Sequence, residues 1–114
     1  MDGETTIAEV KGVVQRFISD RDWNRFHKDR DVSMALSVEA SELLDLYLWD
    51  REPNREDLED ELADIFIYLL DMSHICGIDL SDALHRKMEK NSGKYPVDIV
   101  KGRSEKYTHF QRSE

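Results

Sequence analysis

Two pairs of acidic residues occupy positions where a helical protein usually places leucines. Glu39 and Glu42 lie one turn apart among apolar residues at helical spacing, and Glu61 repeats the pattern with Asp64 on the adjoining edge. Four carboxylates on the inward faces of two consecutive helices would repel one another and would be costly to remove from water. A divalent metal ion between them is the simplest compensation, so we expect the four acids to be metal ligands.

The chemistry of the ligands indicates which metal this would be. Sites built only from oxygen ligands select hard cations, which favours Mg²⁺, or Mn²⁺ as a substitute, over zinc. Magnesium takes few carboxylates, so four acids predict two or more ions when a polyphosphate is bound. The alternative is that the acids line a solvated groove, because acids three residues apart are common on helices and either pair alone is weak evidence.

Composition limits the class of protein. A chain of 114 residues with 36% charged and 39% hydrophobic residues predicts one ordered domain, with a core at about 4–96 and a basic tail at 97–114. No apolar run reaches the ~18 residues of a membrane span, and no signal peptide is recognisable. The single cysteine, Cys76, suits a reducing cytosol. We therefore expect a cytoplasmic protein that does not bind membranes.

Charge is unevenly distributed along the sequence. The net charge of −9 argues against binding of duplex DNA through counterion release. Residues 85–112, however, hold eight Lys or Arg against three Asp or Glu. An acidic half that binds metal, joined to a basic half, can hold a metal and a polyphosphate together.

Apolar spacing predicts four helices and no strand. The third helix is apolar on almost every face, which indicates either the central helix of the bundle or a helix shared with a partner chain. The small size of the protein favours the partner chain, so we expect an all-α four-helix bundle completed by dimerisation, as a homodimer or a dimer of dimers. The predicted elements are a helix at about 4–19, an ordered loop at 21–31, a helix from Asp31 or Ser33 to about Asp50, a helix capped by Asn54 and ending near Cys76 at Gly77, and a helix from Asp79 or Ser81 to about Asn91.

The acidic pairs and their spacing resemble a known family. Glu39-Ala40-Ser41-Glu42, an 18-residue gap and Glu61-Leu62-Ala63-Asp64 are similar to the signature of the all-α, MazG-like nucleoside triphosphate pyrophosphohydrolases. Across residues 7–110 the resemblance is closer to the dCTP pyrophosphatase branch. The further segments in its order and spacing are Arg21-Asp22-Trp23, Phe26-His27, Leu48-Trp49, Ile67-Tyr68-Leu69, Lys87-Met88, Asn91, Tyr95-Pro96 and Lys106-Tyr107.

The resemblance implies hydrolysis between the α and β phosphates of a nucleoside triphosphate, with dCTP or a modified cytosine nucleotide as the expected substrate. It assigns the binding of Mg²⁺ and catalysis to the four acids. It also implies that Trp23 and Trp49 enclose the base with His27 nearby. Contacts with phosphate or sugar are implied for Tyr68, Lys87, Asn91 and Tyr95.

Simpler roles and other protein classes stay open at this level. Trp23 could pack a loop against the core, Tyr68 could be a core residue, and Lys87 could be solvated charge. Di-iron proteins also place carboxylates inside helical bundles, but they need Glu-x-x-His on two helices, and this sequence has none. A non-catalytic nucleotide-binding module is the other alternative, and the complete set of four acids argues against it.

Overall fold

The computed structural model describes residues 1–104. This part of the chain contains helices and no strand, which confirms the all-α prediction. None of its helices is long and apolar enough to cross a membrane. The α-helices are α1 (Ile7–Asp20), α2 (Asp29–Asp45), α3 (Arg55–Ile75), α4 (Leu80–Lys94) and α5 (Val97–Val100), and single 3₁₀ turns lie at Asn24–Phe26 and Leu48–Asp50.

Helix α1 begins later than the predicted residue 4. Thr6 is the N-cap, and its side chain accepts a hydrogen bond from the backbone N–H of Glu9 at 3.1 Å. Satisfying one of the free N–H groups of the first turn fixes the start of the helix at this residue. Val14 and Ile18, one turn apart, are buried and form the inner face of α1.

The predicted start and end of the second helix are both wrong. Helix α2 begins at Asp29 rather than at Asp31 or Ser33, with Asp29 and Asp31 in its first turn, where negative charge is favourable. It ends at Asp45 rather than near Asp50. After Asp45 the backbone hydrogen bonds tighten to the third residue back, as from the Leu46 N–H to the Leu43 carbonyl, and the φ angles of Trp49 and Asp50, 64° and 57°, are left-handed, so an α-helix cannot continue to Asp50.

Helix α3 agrees with its predicted bounds. The Asn54 side chain accepts a hydrogen bond from the backbone N–H of Asp57 at 2.8 Å, and Gly77, at a φ of 64°, follows the C-cap residue Cys76. Helix α3 packs against both α1 and α2. The buried apolar residues of the three helices are few, and they are Val14, Ile18, Val32 and Leu70.

The chain divides into two compact units, the first of residues 1–78 and the second beginning at Asp79. In the second unit Asp79 caps α4, as predicted, by accepting a hydrogen bond from the backbone N–H of Asp82 at 2.8 Å. Helix α4 continues past the predicted end at Asn91 through Gly93, and the short helix α5 was not predicted. Proline disfavours helical backbone in the residue before it, so the Tyr95-Pro96 step ends α4. The Lys106-Tyr107 segment lies outside the described residues.

Candidate active site

The acidic residues meet where α2 packs against α3. Helix α2 contributes Glu39, and α3 contributes Glu61 and Asp64 from successive turns. One carboxylate oxygen from each of the three residues lies within 4.8 Å of the other two. All three side chains are partly buried. The structure therefore brings together three of the four acids that the sequence predicted.

Two oxygens of this cluster are buried and unpaired. Within the described residues, neither Glu39 Oε2 nor Glu61 Oε2 has a hydrogen-bond partner. Buried polar atoms nearly always have a partner, so two unsatisfied carboxylate oxygens in one cluster require an explanation. A hard divalent cation accepts carboxylate oxygens of this kind as ligands, and the donor set fits such an ion.

Electrostatics in the cluster favour a positive ligand. The pKa of Glu39 is raised to about 7, first by burial and then by the adjacent Glu42 carboxyl and the charges of Asp64 and Glu61. Burial also raises the pKa of Glu61, as do the charges of Glu42 and Asp64, while the neighbouring Glu39 side chain lowers it. Without a cation these carboxylates repel one another, so a bound cation would relieve the repulsion.

Glu42 occupies a different position from the other three acids. It is exposed and is not among the residues whose oxygens lie within 4.8 Å of one another. Its carboxyl nevertheless helps to raise the pKa of Glu39. Glu42 therefore lies at the solvent side of the cluster, where it can reach a ligand that enters from outside.

A pocket of about 430 Å³ connects the acids to an aromatic wall. Glu39 and Asp64 line it together with Trp23, His27 and Tyr68. This volume lies in the range of pockets that hold small ligands. The remaining lining residues are apolar except for Asp71, and they are Val13, Val14, Phe17, Ile18, Ile67 and Asp71.

Ring contacts hold the aromatic wall in place. Trp23 meets Phe17 edge to face, with ring centroids 5.9 Å apart, and stacks with His27 at 6.5 Å and an angle of 16°. The Arg21 guanidinium lies 3.6 Å from the centroid of the Phe17 ring. The loop between α1 and α2 thus presents Trp23 and His27 as roughly parallel rings at the pocket.

Tyr68 joins the acidic and aromatic parts of the pocket. It follows Asp64 by one turn of α3 and is partly buried. Burial raises the pKa of the Tyr68 hydroxyl, and the charges of Glu39, Asp64, Asp71 and Glu42 raise it further. The hydroxyl therefore keeps its proton at neutral pH and can donate a hydrogen bond to a ligand oxygen.

Sequence reasoning missed Asp71, which is 1% exposed. Its Oδ2 lies 2.6 Å from His27 Nδ1, and its Oδ1 accepts a hydrogen bond from Gln15 Nε2 at 2.9 Å. Asp71 follows Asp64 by seven residues, which places both on one face of α3. That spacing was the available signal, but the apolar residues on every side of α3 obscured it.

Four of the predicted site residues, Trp49, Lys87, Asn91 and Tyr95, are not assigned to the pocket. Trp49 is 89% exposed, adopts a left-handed backbone conformation and is not among the residues that line the pocket. Lys87 and Asn91 lie on α4, and Tyr95 is its C-cap residue, all in the second unit. The roles implied for these four residues stay predictions.

Comparisons with known proteins agree with the fold and identify the family. The sequence matches the model of the MazG-like family over residues 34–110, a stretch that includes all four acids. The chain therefore belongs to the MazG-like family, as its acidic motifs indicated.

Individual relatives narrow the comparison. The chain is 35% identical to dCTP pyrophosphatase 1 of Mus musculus over 96% of its own length and 70% of that protein. It is also 35% identical to dCTP pyrophosphatase 1 of Homo sapiens, over 94% of its own length and 69% of that protein. A crystal structure of a pyrophosphatase from Archaeoglobus fulgidus superposes with a TM-score of 0.74 at 31% identity, covering 79% of this chain and 92% of that one.

Proposed function

We propose that this protein hydrolyses dCTP, or a modified cytosine nucleotide, to the monophosphate and pyrophosphate in a reaction that depends on Mg²⁺. The observation that carries the proposal is the cluster of Glu39, Glu61 and Asp64, with its unpaired oxygens, beside an aromatic pocket. Membership of the MazG-like family and the pyrophosphatase relatives make the chain a nucleoside triphosphate pyrophosphohydrolase. The cytosine base is inferred from the names of the dCTP pyrophosphatase relatives.

The acids supply the binding site for Mg²⁺, with Mn²⁺ as a possible substitute. Glu39, Glu61 and Asp64 would hold the ion, and Glu42 would join them from the solvent side. A bound divalent ion supplies two things, neutralisation of phosphate charge and a lower pKa of water. The chain itself keeps the carboxylates close together before any ligand arrives, and one carboxylate can accept the proton of the attacking water.

The aromatic wall would hold the nucleoside. Trp23 presents a ring on which a base can stack, with the roughly parallel His27 ring beside it, and stacking contributes ~1–3 kcal/mol per base. The protonated Tyr68 hydroxyl lies between the wall and the acids, where it can donate to a phosphate or sugar oxygen. Trp49 is proposed to cover the base, and Lys87, Asn91 and Tyr95 to contact phosphate or sugar, as the family resemblance implies.

Assembly as a homodimer or a dimer of dimers, in the cytoplasm, is part of the proposal. Large apolar side chains of α1 and α3 are exposed next to one another, for example Ile7 at 36% and Leu62 at 51%. Contiguous apolar surface on a small protein usually marks an interface, and a second copy would cover it. Light scattering should give a mass of at least twice 13.4 kDa, whereas a stable monomer at micromolar concentration would contradict this part of the proposal.

Hydrolysis of dCTP in ¹⁸O-labelled water tests the reaction. Attack at the α phosphorus places the label in the nucleoside monophosphate and leaves the bond between the β and γ phosphates intact in pyrophosphate. Release of inorganic phosphate and a diphosphate would instead show attack at the γ phosphorus and would contradict the proposal. Tight binding of dCTP without turnover would favour the non-catalytic binding module.

A further inference from the structure

The buried Asp71 carboxylate controls the hydrogen bonds of a histidine in the pocket wall. Asp71 lies on α3, Gln15 on α1, and His27 directly after the 3₁₀ turn that links α1 to α2. Both Asp71 oxygens are engaged, one by Gln15 Nε2 at 2.9 Å and the other by His27 Nδ1 at 2.6 Å. These contacts connect two helices and a loop through one buried side chain.

The chemistry of the three groups fixes the position of a proton. An ionised carboxylate only accepts hydrogen bonds, and the Gln15 amide already donates to one of its oxygens. The His27 Nδ1 must therefore donate to the other oxygen. A neutral imidazole carries a single proton, so with that proton on Nδ1 the second ring nitrogen, Nε2, is a hydrogen-bond acceptor.

The second nitrogen is available to a ligand. His27 lines the pocket, and no hydrogen bond to its Nε2 is found within residues 1–104. The ring is also held by stacking against Trp23, so it cannot rotate without breaking contacts on two sides. The pocket therefore contains one acceptor nitrogen, beside the surface on which a base is proposed to stack.

We propose that Asp71 is a positioning residue for base selection, keeping the His27 Nε2 as an acceptor that receives a hydrogen bond from the exocyclic amine of cytosine. Uracil presents a carbonyl oxygen at that position, which would face the Nε2 lone pair without a proton between them. A site that hydrogen-bonds a substrate group rejects an analogue lacking it, because its own polar group is left unpaired. This inference rests on the proposed function and identifies the groups that distinguish cytosine from uracil.

A purely structural role for Asp71 predicts a different behaviour. If Asp71 only tied the loop to α3, any pair of side chains that restored the hydrogen bonds would restore activity equally on every nucleotide. If Asp71 sets the proton on His27, two restored networks of opposite polarity should give opposite base preferences. The neighbouring Gln15 allows both networks to be built.

Two double variants provide the matched pair. In Asp71→Asn with Gln15→Glu, the carboxylate at position 15 only accepts, so the asparagine amide donates to it and turns its carbonyl to His27, as in the wild type. In Asp71→Asn with Gln15→Lys, the ammonium only donates, so the asparagine carbonyl turns to position 15 and its NH₂ group faces Nδ1. The proton of His27 then moves to Nε2, and the polarity presented to the pocket is inverted.

The readout is the ratio of kcat/KM for dCTP to kcat/KM for dUTP. The double variant with Gln15→Glu should keep the wild-type ratio within about threefold. The double variant with Gln15→Lys should lower the ratio by at least about tenfold, because control of a histidine tautomer by a buried carboxylate has large kinetic effects. Equal ratios in the two double variants would overturn the proposal. A wild-type enzyme that hydrolyses both nucleotides equally would overturn it while leaving the pyrophosphohydrolase function intact, whereas hydrolysis of neither would overturn both.

A spectroscopic measurement checks the proton without depending on turnover or on folding of the variants. The ¹⁵N–¹H correlation spectrum of histidine rings in the wild-type protein, at about pH 8.5, distinguishes the two neutral tautomers and the doubly protonated ring. We expect His27 in the Nδ1–H tautomer. An Nε2–H or doubly protonated His27 would contradict the proposal, even if the enzyme hydrolyses dCTP.

Discussion

Helix α3 carries two kinds of buried carboxylate on one face, and their surroundings differ. At its N-terminal half, Glu61 and Asp64 face Glu39, and two oxygens of the cluster are buried without a partner. Two turns after Asp64, Asp71 is more deeply buried, yet both its oxygens have partners in Gln15 and His27. The same chemical group, a buried carboxylate, is thus unsatisfied at one place and fully satisfied at the other.

This difference separates a ligand site from a positioning group. Unpaired acids that raise one another's pKa are unfavourable until a cation arrives, so they cost stability and bind metal. A paired acid is stable as it stands, so its removal leaves its partners unsatisfied. Loss of an acid from the cluster should therefore mainly affect chemistry, while loss of Asp71 should also affect folding.

The largest expected effect is loss of catalysis on neutralising an acid of the cluster. Glu61→Gln should reduce kcat by at least about 100-fold while the circular dichroism spectrum is unchanged, because the ion that stabilises charge at phosphorus loses a ligand. EDTA should abolish wild-type activity, and Mg²⁺ or Mn²⁺ should restore it. The matched control is Glu56→Gln, the same change at an exposed position on α3, which should keep full activity. Full activity of Glu61→Gln would remove this residue from the site.

The second largest effect is a loss of stability when the paired carboxylate of Asp71 is removed. Asp71→Ala should lower the free energy of unfolding by about 2–4 kcal/mol, because it opens a buried space and leaves Gln15 and His27 without their shared partner. Urea unfolding of the metal-free protein measures this value. A change below about 0.5 kcal/mol, the usual range for surface positions, would show that the Asp71 network does not hold the helices together.

The third effect is a difference between the tryptophans and the acids in which kinetic constant their substitution changes. Trp23→Ala and Trp49→Ala should mainly raise KM for dCTP, since stacking of ~1–3 kcal/mol is present in the ground state and the transition state alike. Asp64→Asn should mainly lower kcat. Steady-state kinetics on the three variants distinguish the roles, and the reverse pattern would contradict the division into a base-binding wall and a catalytic cluster.

The smallest effect is a pH dependence of stability in the cluster. The pKa of Glu39 is raised from 4.5 to about 7 in the folded protein, so folding favours the protonated carboxyl. The free energy of unfolding therefore contains the full contribution of this group below about pH 4.5, and that contribution is lost as the pH rises through about 7. Metal-free Glu39→Gln should therefore be more stable than the wild type at about pH 8, by about 1 kcal/mol after solvent screening, with the gain lost at about pH 4.5. Thermal melts of both proteins in EDTA at the two pH values measure this. The same difference in stability between Glu39→Gln and the wild type at both pH values would contradict the pKa argument.

Much of the fold could be predicted because local signals decided it. The Asn54 cap and the glycine after Cys76 fixed α3, since capping is a short-range interaction. The start of α2 could not be predicted, because Lys28 precedes the helix without a side-chain cap and Asp29, Asp31 and Ser33 all look like caps. The left-handed backbone of Trp49 was equally unpredictable, since bulky residues rarely adopt it.

In the candidate site, too, only the features that local sequence signals decide could be predicted. The two acidic pairs could be predicted because each lies within one helix, where spacing alone places side chains on a face. The Asp71 network could not, because it joins residues 44 and 56 positions apart through a loop whose path has no sequence period. Long-range polar contacts of this kind depend on tertiary packing, which the sequence pattern of a helix that is apolar all round does not specify.

Binding of Mn²⁺ measured by electron paramagnetic resonance tests the central claim most directly. The claim is that the unpaired acids form the cation site and that the paired Asp71 does not. Glu61→Gln should weaken Mn²⁺ binding by at least about tenfold relative to the wild type, whereas Asp71→Asn should leave it unchanged within about twofold. Equal weakening in both variants, or no Mn²⁺ binding by the wild type even with a non-hydrolysable triphosphate present, would contradict the account.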